Sequence, residues 1–181
     1  MVIIDEVQTG IGRTGRAFAY QHYGISPDII TSAKGLANGV PVGAMIAKHS
    51  LQDAFGPGSH AATFGGNPLA MAAAEAVLQH VFQDDFLQAV MEKGAYLLEQ
   101  LTACIGELPV VSFIRGKGLM IGIECNQDVS SMVGLLMEKV CSFSAGANVI
   151  RLLPPLTVSY KEIDTAVQLM KDVLSAETVY Q

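Results

Sequence analysis

The stretch "DEVQTGIGRTG", residues 5–15, follows the apolar run "MVII" and places Gly10, Gly12 and Gly15 in a literal G-x-G-x-x-G. A dinucleotide-binding turn needs these glycines straight off a strand, a long crossover helix after them, and an acid some way further on. Residues 6–9 separate Asp5 from the first glycine, and the next segment, "RAFAYQHYG", meets Gly24 and then Pro27 before a crossover helix can form. Asp28, the suitably spaced acid, begins the following apolar run instead of ending it. The nucleotide reading is therefore the weaker one, and attention moves to Asp5, an acid where a strand ends.

Outward from this stretch, the composition narrows the classes. Half of the 181 residues are apolar, which supports a real core in one domain or two small ones and argues against disorder. Eleven basic against seventeen acidic residues give a formal charge of −6, with no basic run to follow a phosphate backbone, so nucleic acid is excluded as a partner. No basic leader opens the chain, and no apolar run approaches the roughly 18 residues of a membrane helix; these features predict a cytoplasmic protein without membrane contact. Cys104, Cys125 and Cys141 are widely spaced and form no C-x-x-C pair, a pattern for reduced thiols and against a metal site.

Short β-type runs at 2–4, 28–31 and 42–47, separated by glycine-rich loops, predict an α/β layout of parallel type. Residues 67–82, "NPLAMAAAEAVLQHVF", predict a helix with Pro68 in its first turn and a small-residue face. A long amphipathic helix is expected from Asp84 onward, weakened but not ended by Gly94. Beyond Pro109, "VVSFIRGKGLMIGIEC" predicts two strands around a turn at 116–118. A helix over 130–141, a strand "NVIRLL" and a last helix over 160–175 complete the pattern. The change of patterning near Phe82 to Phe86 predicts two domains, 1–83 and 84–181, the first an incomplete sheet too small to cover both of its faces.

Asp5 and Lys34 each end or follow a predicted strand, the position at which open α/β sheets hold ligands. Lys34, in "TSAKGLANG", has an apolar approach, so desolvation is expected to turn its amine into a nucleophile for an aldehyde. Taken singly, a solvated loop lysine and a turn-capping aspartate explain these residues as well. Their combination carries the case.

"IIDEVQTGIGRTG", "PDIITSAKGLANGVPVGAMI", "TFGGNPLA", "RGKGLMIGIE" and "NVIRLLPPL" together resemble the class III pyridoxal-phosphate aminotransferases, in the family's order and over almost the whole chain. The resemblance implies part of the large domain of a fold-type I transferase followed by an α+β small domain, with pyridoxal 5'-phosphate as cofactor. It implies that Asp5 holds the pyridine nitrogen protonated, that Val7 presses on one ring face, and that Gln8 hydrogen-bonds the phenolic oxygen. Lys34 is implied as the amine that binds the cofactor covalently and then carries the substrate proton. Thr63 is implied to bind the cofactor phosphate of a neighbouring subunit, which makes a homodimer part of the site. Its alternative is a helix cap, and Ala62 stands where the family usually has a serine. Arg151 is implied as the clamp on a substrate carboxylate, with an internal salt bridge as its alternative; an arginine in so apolar a run is costly without a partner.

The implied reaction moves the δ-amino group of N-acetylornithine, or a related ω-amine, to 2-oxoglutarate. Ornithine, succinylornithine, 4-aminobutyrate and succinyldiaminopimelate are the other donors within the family. Its members are much longer, and the amino-terminal half, with its phosphate-cradling loop and ring-stacking aromatic, has no counterpart here. A catalytically inert fragment that keeps the fold is therefore the reading from a different class.

Overall fold

The computed structural model describes residues 1–137 and 142–178. These residues fall into two compact units, 1–87 and 88–181, and the division lies just beyond the boundary expected at 83/84, inside a continuous helix.

In the first unit, β1 (Ile3–Asp5), β2 (Ile29–Ser32) and β3 (Ala44–Ala47) form one sheet in that order. β1 and β2 are parallel, pairing Ile3 with Ile29, Ile4 with Ile30 and Asp5 with Thr31. β3 departs from the expected parallel patterning and runs antiparallel to β2. The connection explains this: one short 3₁₀ turn, Lys34–Ala37, and the loop after it return the chain without a crossover helix, which a parallel partner would need. Helix α1 (Pro68–Val81) starts where Asn67 Oδ1 accepts the Ala70 N–H at 2.9 Å, and it packs its small face on the Lys34–Ala37 turn. Buried Ala70 and Ala74 allow that close approach. The sheet remains open: Ile3 is 57%, and Met45 and Ile46 each 49%, exposed, as the short three-strand pattern implies.

The second unit contains an antiparallel sheet of β4 (Val111–Lys117), β5 (Met120–Cys125), β6 (Ser142–Ser144) and β7 (Val149–Leu152), in the order β4-β5-β7-β6. Ile121, Ile123, Cys125, Ile150 and Leu152 alternate onto one buried face. Helix α2 (Asp84–Ile105) supplies a stripe of Val90, Gly94, Leu97, Leu101 and Ile105. Helix α4 (Tyr160–Thr178) adds Ile163, Val167, Met170 and Leu174, and α3 (Ser130–Met137) adds Met132, Val133 and Leu136. Burial of each large aliphatic side chain contributes about 1.5–3 kcal/mol, so these stripes, at helical spacing, hold the unit together. Ser159 and Glu162 cap α4 reciprocally: Ser159 N–H donates to Glu162 Oε2 at 2.7 Å, and Glu162 N–H to Ser159 Oγ at 3.3 Å. The bonds that its carboxylate accepts from the Ser159 N–H and hydroxyl, each 2.7 Å, pull the Glu162 carboxyl below its ordinary value.

Two expectations change in detail. The hairpin turns at 118–119, because Lys117 pairs with Met120, and not at 116–118. β6 was absent from the sequence pattern, and the last residues of the helix expected over 130–141, including Cys141, lie outside the described residues. Cys125 is buried, which pushes its thiol up, and Cys104 is half-buried; both are free. Among the described residues no helix is long and apolar enough to cross a membrane, and no cluster of three or more His, Cys, Asp or Glu could hold a metal.

Gly94 has a specific reason to be in a helix interior. A Cβ there would fall on the backbone of Gly118, at the hairpin turn. Helix propensity alone favours Gly94→Ala by about 1 kcal/mol. Overpacking costs about 1–3 kcal/mol and here meets backbone that has little room to yield. Gly94→Ala is expected to lower the urea midpoint of the second unit; a raised midpoint would remove the contact from the account.

Candidate active site

β1 ends on Asp5 and β2 on Ser32 at the same edge of the sheet, and Glu6 to Gln8 and Lys34 lie just beyond them. Asp5 is exposed, and two donors converge on its Oδ1: the Val7 N–H at 2.9 Å and the Thr31 hydroxyl at 3.1 Å. Both bonds follow from local structure, one from the turn after β1 and one from the parallel register. Among the described residues, this leaves Oδ2 available to an external donor. Val7 and Gln8 are half-buried at the start of the glycine loop.

Lys34 opens the 3₁₀ turn in a left-handed conformation, φ 48°, uncommon for a residue with a Cβ. The turn buries Leu36 and Ala37 and leaves Lys34 exposed. The chain does not bury the amine as expected from its flanking residues: Ala33 is half-buried and Gly35 exposed, and the turn directs Leu36 and Ala37 inward.

The glycine loop is folded against this same edge. Gly10 N–H returns to Glu6 O at 2.9 Å, and a Cβ on Gly10 would stand 2.8 Å from that oxygen, so a side chain there would break the loop. Ile11 is buried in a left-handed conformation, φ 51°, a genuine outlier for a β-branched residue. A Cβ built on Gly35, next to Lys34, would contact Ile11 Cβ at 3.7 Å, so loop and lysine turn lie side by side. The loop consists of turns and a single 3₁₀ segment, Ala19–Tyr23, capped by left-handed Gly24. No crossover helix opens on the glycines, so the dinucleotide reading loses its required context.

Glu6 was missed by sequence reasoning. It is 1% exposed and accepts from Thr9 Oγ1 at 2.5 Å, Ala19 N at 3.1 Å and Tyr20 N at 2.8 Å. The signal was an acid directly after Asp5, whose side chain must point the opposite way on an extended backbone. Ser32 was missed as well: its hydroxyl is buried and, among the described residues, has no hydrogen-bond partner.

Thr63 is exposed, in a turn closed by Gly65 N–H to Ala62 O at 3.0 Å. Its alternative role as a cap falls to Asn67. Arg151 belongs to the second unit, opposite Gly122 of β5 and Phe143 of β6. Strand alternation puts it on the face away from Ile150 and Leu152, half-buried, with its Nε atom buried. A groove of about 720 Å³ in the second unit, bordered by Leu97, Pro154, Pro155, Ile163 and Leu169, contains none of the predicted site residues.

An acid and a lysine thus lie at or just beyond the ends of adjacent parallel strands, beside a strained glycine loop. The sequence pattern of the class-III aminotransferases matches residues 1–174, and the chain belongs to that family. It is 58% identical over 176 residues to acetylornithine aminotransferase of Bacillus subtilis (strain 168), covering 97% of this chain and 46% of the relative. It is 53% identical over 174 residues to acetylornithine aminotransferase of Streptococcus mutans, covering 96% and 46%. Among solved structures, ornithine aminotransferase from Toxoplasma gondii ME49 superimposes with a TM-score of 0.90 at 32% identity, over 99% of this chain and 44% of that one. Acetylornithine aminotransferase from Elizabethkingia anophelis does so with a TM-score of 0.87 at 32% identity, over 97% and 46%. The chain thus spans less than half the length of these relatives, and it has the fold of the corresponding part of fold-type I transferases.

The orphaned Ser32 hydroxyl makes a local prediction. Thr31 shares the face of Asp5, so alternation turns Ser32 the other way, into the core. Ser32→Ala removes an unpaired buried polar group and is expected to stabilise the first unit by about 1 kcal/mol, read from its denaturation midpoint. Destabilisation instead would mean that the hydroxyl is bonded in solution.

Proposed function

We propose that this chain forms part of the active site of a pyridoxal 5'-phosphate-dependent transaminase that moves the δ-amino group of N-acetylornithine to 2-oxoglutarate. The observation that carries the reading is Asp5, its carboxylate oriented through Oδ1 at the strand edge beside the Lys34 turn. The residues present fit the cofactor. Oδ2 of Asp5 is free to accept from a protonated pyridine nitrogen, a charge-assisted bond that contributes about 1.5–3 kcal/mol.

When bound, the cofactor supplies an electron sink for the carbon that loses its proton. Asp5 keeps the ring nitrogen protonated. Lys34 offers an exposed amine that would hold the cofactor through its aldehyde and would serve as the base for the proton on the substrate carbon that bears the amine. Val7 supports one ring face, and Gln8 donates to the phenolic oxygen. Arg151 presents a planar fork to a substrate carboxylate.

Donor choice rests on similarity to curated relatives: identity is 58% and 53% to the acetylornithine aminotransferases of Bacillus subtilis and Streptococcus mutans. Ornithine, succinylornithine, 4-aminobutyrate and succinyldiaminopimelate remain the alternative donors. We place the protein in the cytoplasm as a homodimer in which Thr63 reaches a partner's cofactor phosphate. Exposed Phe64 and Leu69, at 81% and 73%, beside that threonine support a contact there.

Treatment of the chain with pyridoxal 5'-phosphate and borohydride is expected to fix an adduct on Lys34, located by peptide mass mapping, and Lys34→Ala should abolish it. An adduct undiminished in Lys34→Ala would overturn the lysine's role, and its absence in the wild type would favour the inert fragment.

In the active enzyme, Arg151→Lys should raise KM for the carboxylate substrate roughly tenfold while cofactor affinity holds, because one point charge replaces a bidentate fork. Unchanged kinetics would count against the clamp.

A further inference from the structure

We infer that Glu6 is a positioning residue for the cofactor-facing acid: its buried carboxylate ties the glycine loop to the end of β1 and so sets the orientation of Asp5. The inference rests on the role proposed for Asp5. It goes beyond that reading because Glu6 is buried, with its carboxylate turned into the glycine loop.

The connections converge on one residue. Glu6 N–H donates to Thr31 O at 2.9 Å, extending the parallel ladder one step beyond Asp5. Glu6 O accepts from Gly10 N–H at 2.9 Å, closing the first turn of the loop. Its carboxylate then accepts the Thr9 hydroxyl and the Ala19 and Tyr20 N–H groups. One side chain thereby joins the strand end, the start of the loop and the far 3₁₀ turn. Asp5 is oriented by the Val7 N–H, which lies inside this pinned segment. The rotation of the 5–7 backbone that would release Asp5 Oδ1 must also pull Glu6 from its three donors.

Every partner of that carboxylate is a donor. Glutamine keeps the shape of the side chain but has a single acceptor oxygen, and its NH₂ would face an N–H or O–H. Glu6→Gln is therefore disruptive although nearly isosteric. Thr9→Val removes one donor and keeps the volume, whereas Thr9→Ser keeps the donor.

The test combines amide hydrogen exchange of the cofactor-free chain with titration by pyridoxal 5'-phosphate, followed by visible circular dichroism. In Glu6→Gln, the Val7, Ala19 and Tyr20 amides should exchange roughly tenfold faster or more, with Ile30 in β2 unchanged. The dissociation constant for the cofactor should rise about tenfold or more. Thr9→Val should move both in the same direction by a smaller factor and Thr9→Ser should restore wild-type values, which keeps the test decisive if Glu6→Gln does not fold. Wild-type exchange at Val7 in Glu6→Gln, or faster exchange with unchanged cofactor affinity, would overturn the inference. If the wild type retains no cofactor, the proposed function falls, and exchange at Val7 still decides whether Glu6 governs the contact that orients Asp5.

Discussion

The parallel pairing of β1 with β2 is the constraint on which the candidate site depends. It sets Asp5 beside Thr31 and ends both strands at one edge, so that the turn after each begins within about one strand spacing, roughly 4.8 Å, of the other. A register shift of one residue would reverse the faces of Asp5 and Thr31 and separate the hydroxyl from the carboxylate. The Asp5–Thr31 bond is thus a product of the ladder, and the glycine loop and lysine turn are built onto that ladder.

Strain is concentrated at the same edge. Ile11 and Lys34 both adopt left-handed backbone, at a cost of about 1–3 kcal/mol each. The burial of Ile11 beside Gly35, and of Leu36 and Ala37 beneath α1, offsets it. The left-handed turn also explains how an apolar sequence context yields an exposed amine: the chain reverses at Lys34, and the side chains that follow are the ones directed inward.

The second unit follows simpler rules. Its helices present apolar stripes at helical spacing and its strands alternate, so packing and pattern agree. Gly94 is the exception: a helix-weakening residue retained because the hairpin turn approaches its backbone. Arg151 also follows from alternation, which turns it to the face of its strand opposite the core residues Ile150 and Leu152.

The sequence by itself determined the elements whose signal is local and periodic. α1, α2 and α4, the β4-β5 hairpin and the β7 strand lie close to where hydrophobic period, Pro68 and the acids at 84–85 place them. It also singled out Asp5 and Lys34, since residue type beside a strand end is visible in one dimension, whereas Arg151 came from the family resemblance alone. The tertiary structure alone decided what depends on partners distant along the chain. The antiparallel course of β3, the pairing of β6, the buried position of Glu6 beneath a turn that begins at Ala19, and the exposure of Lys34 are of this kind. Periodicity records which face of an element is apolar. The strand that lies alongside, and the loop that closes over a carboxylate, are set by long-range hydrogen bonds and packing, which leave no period in the sequence.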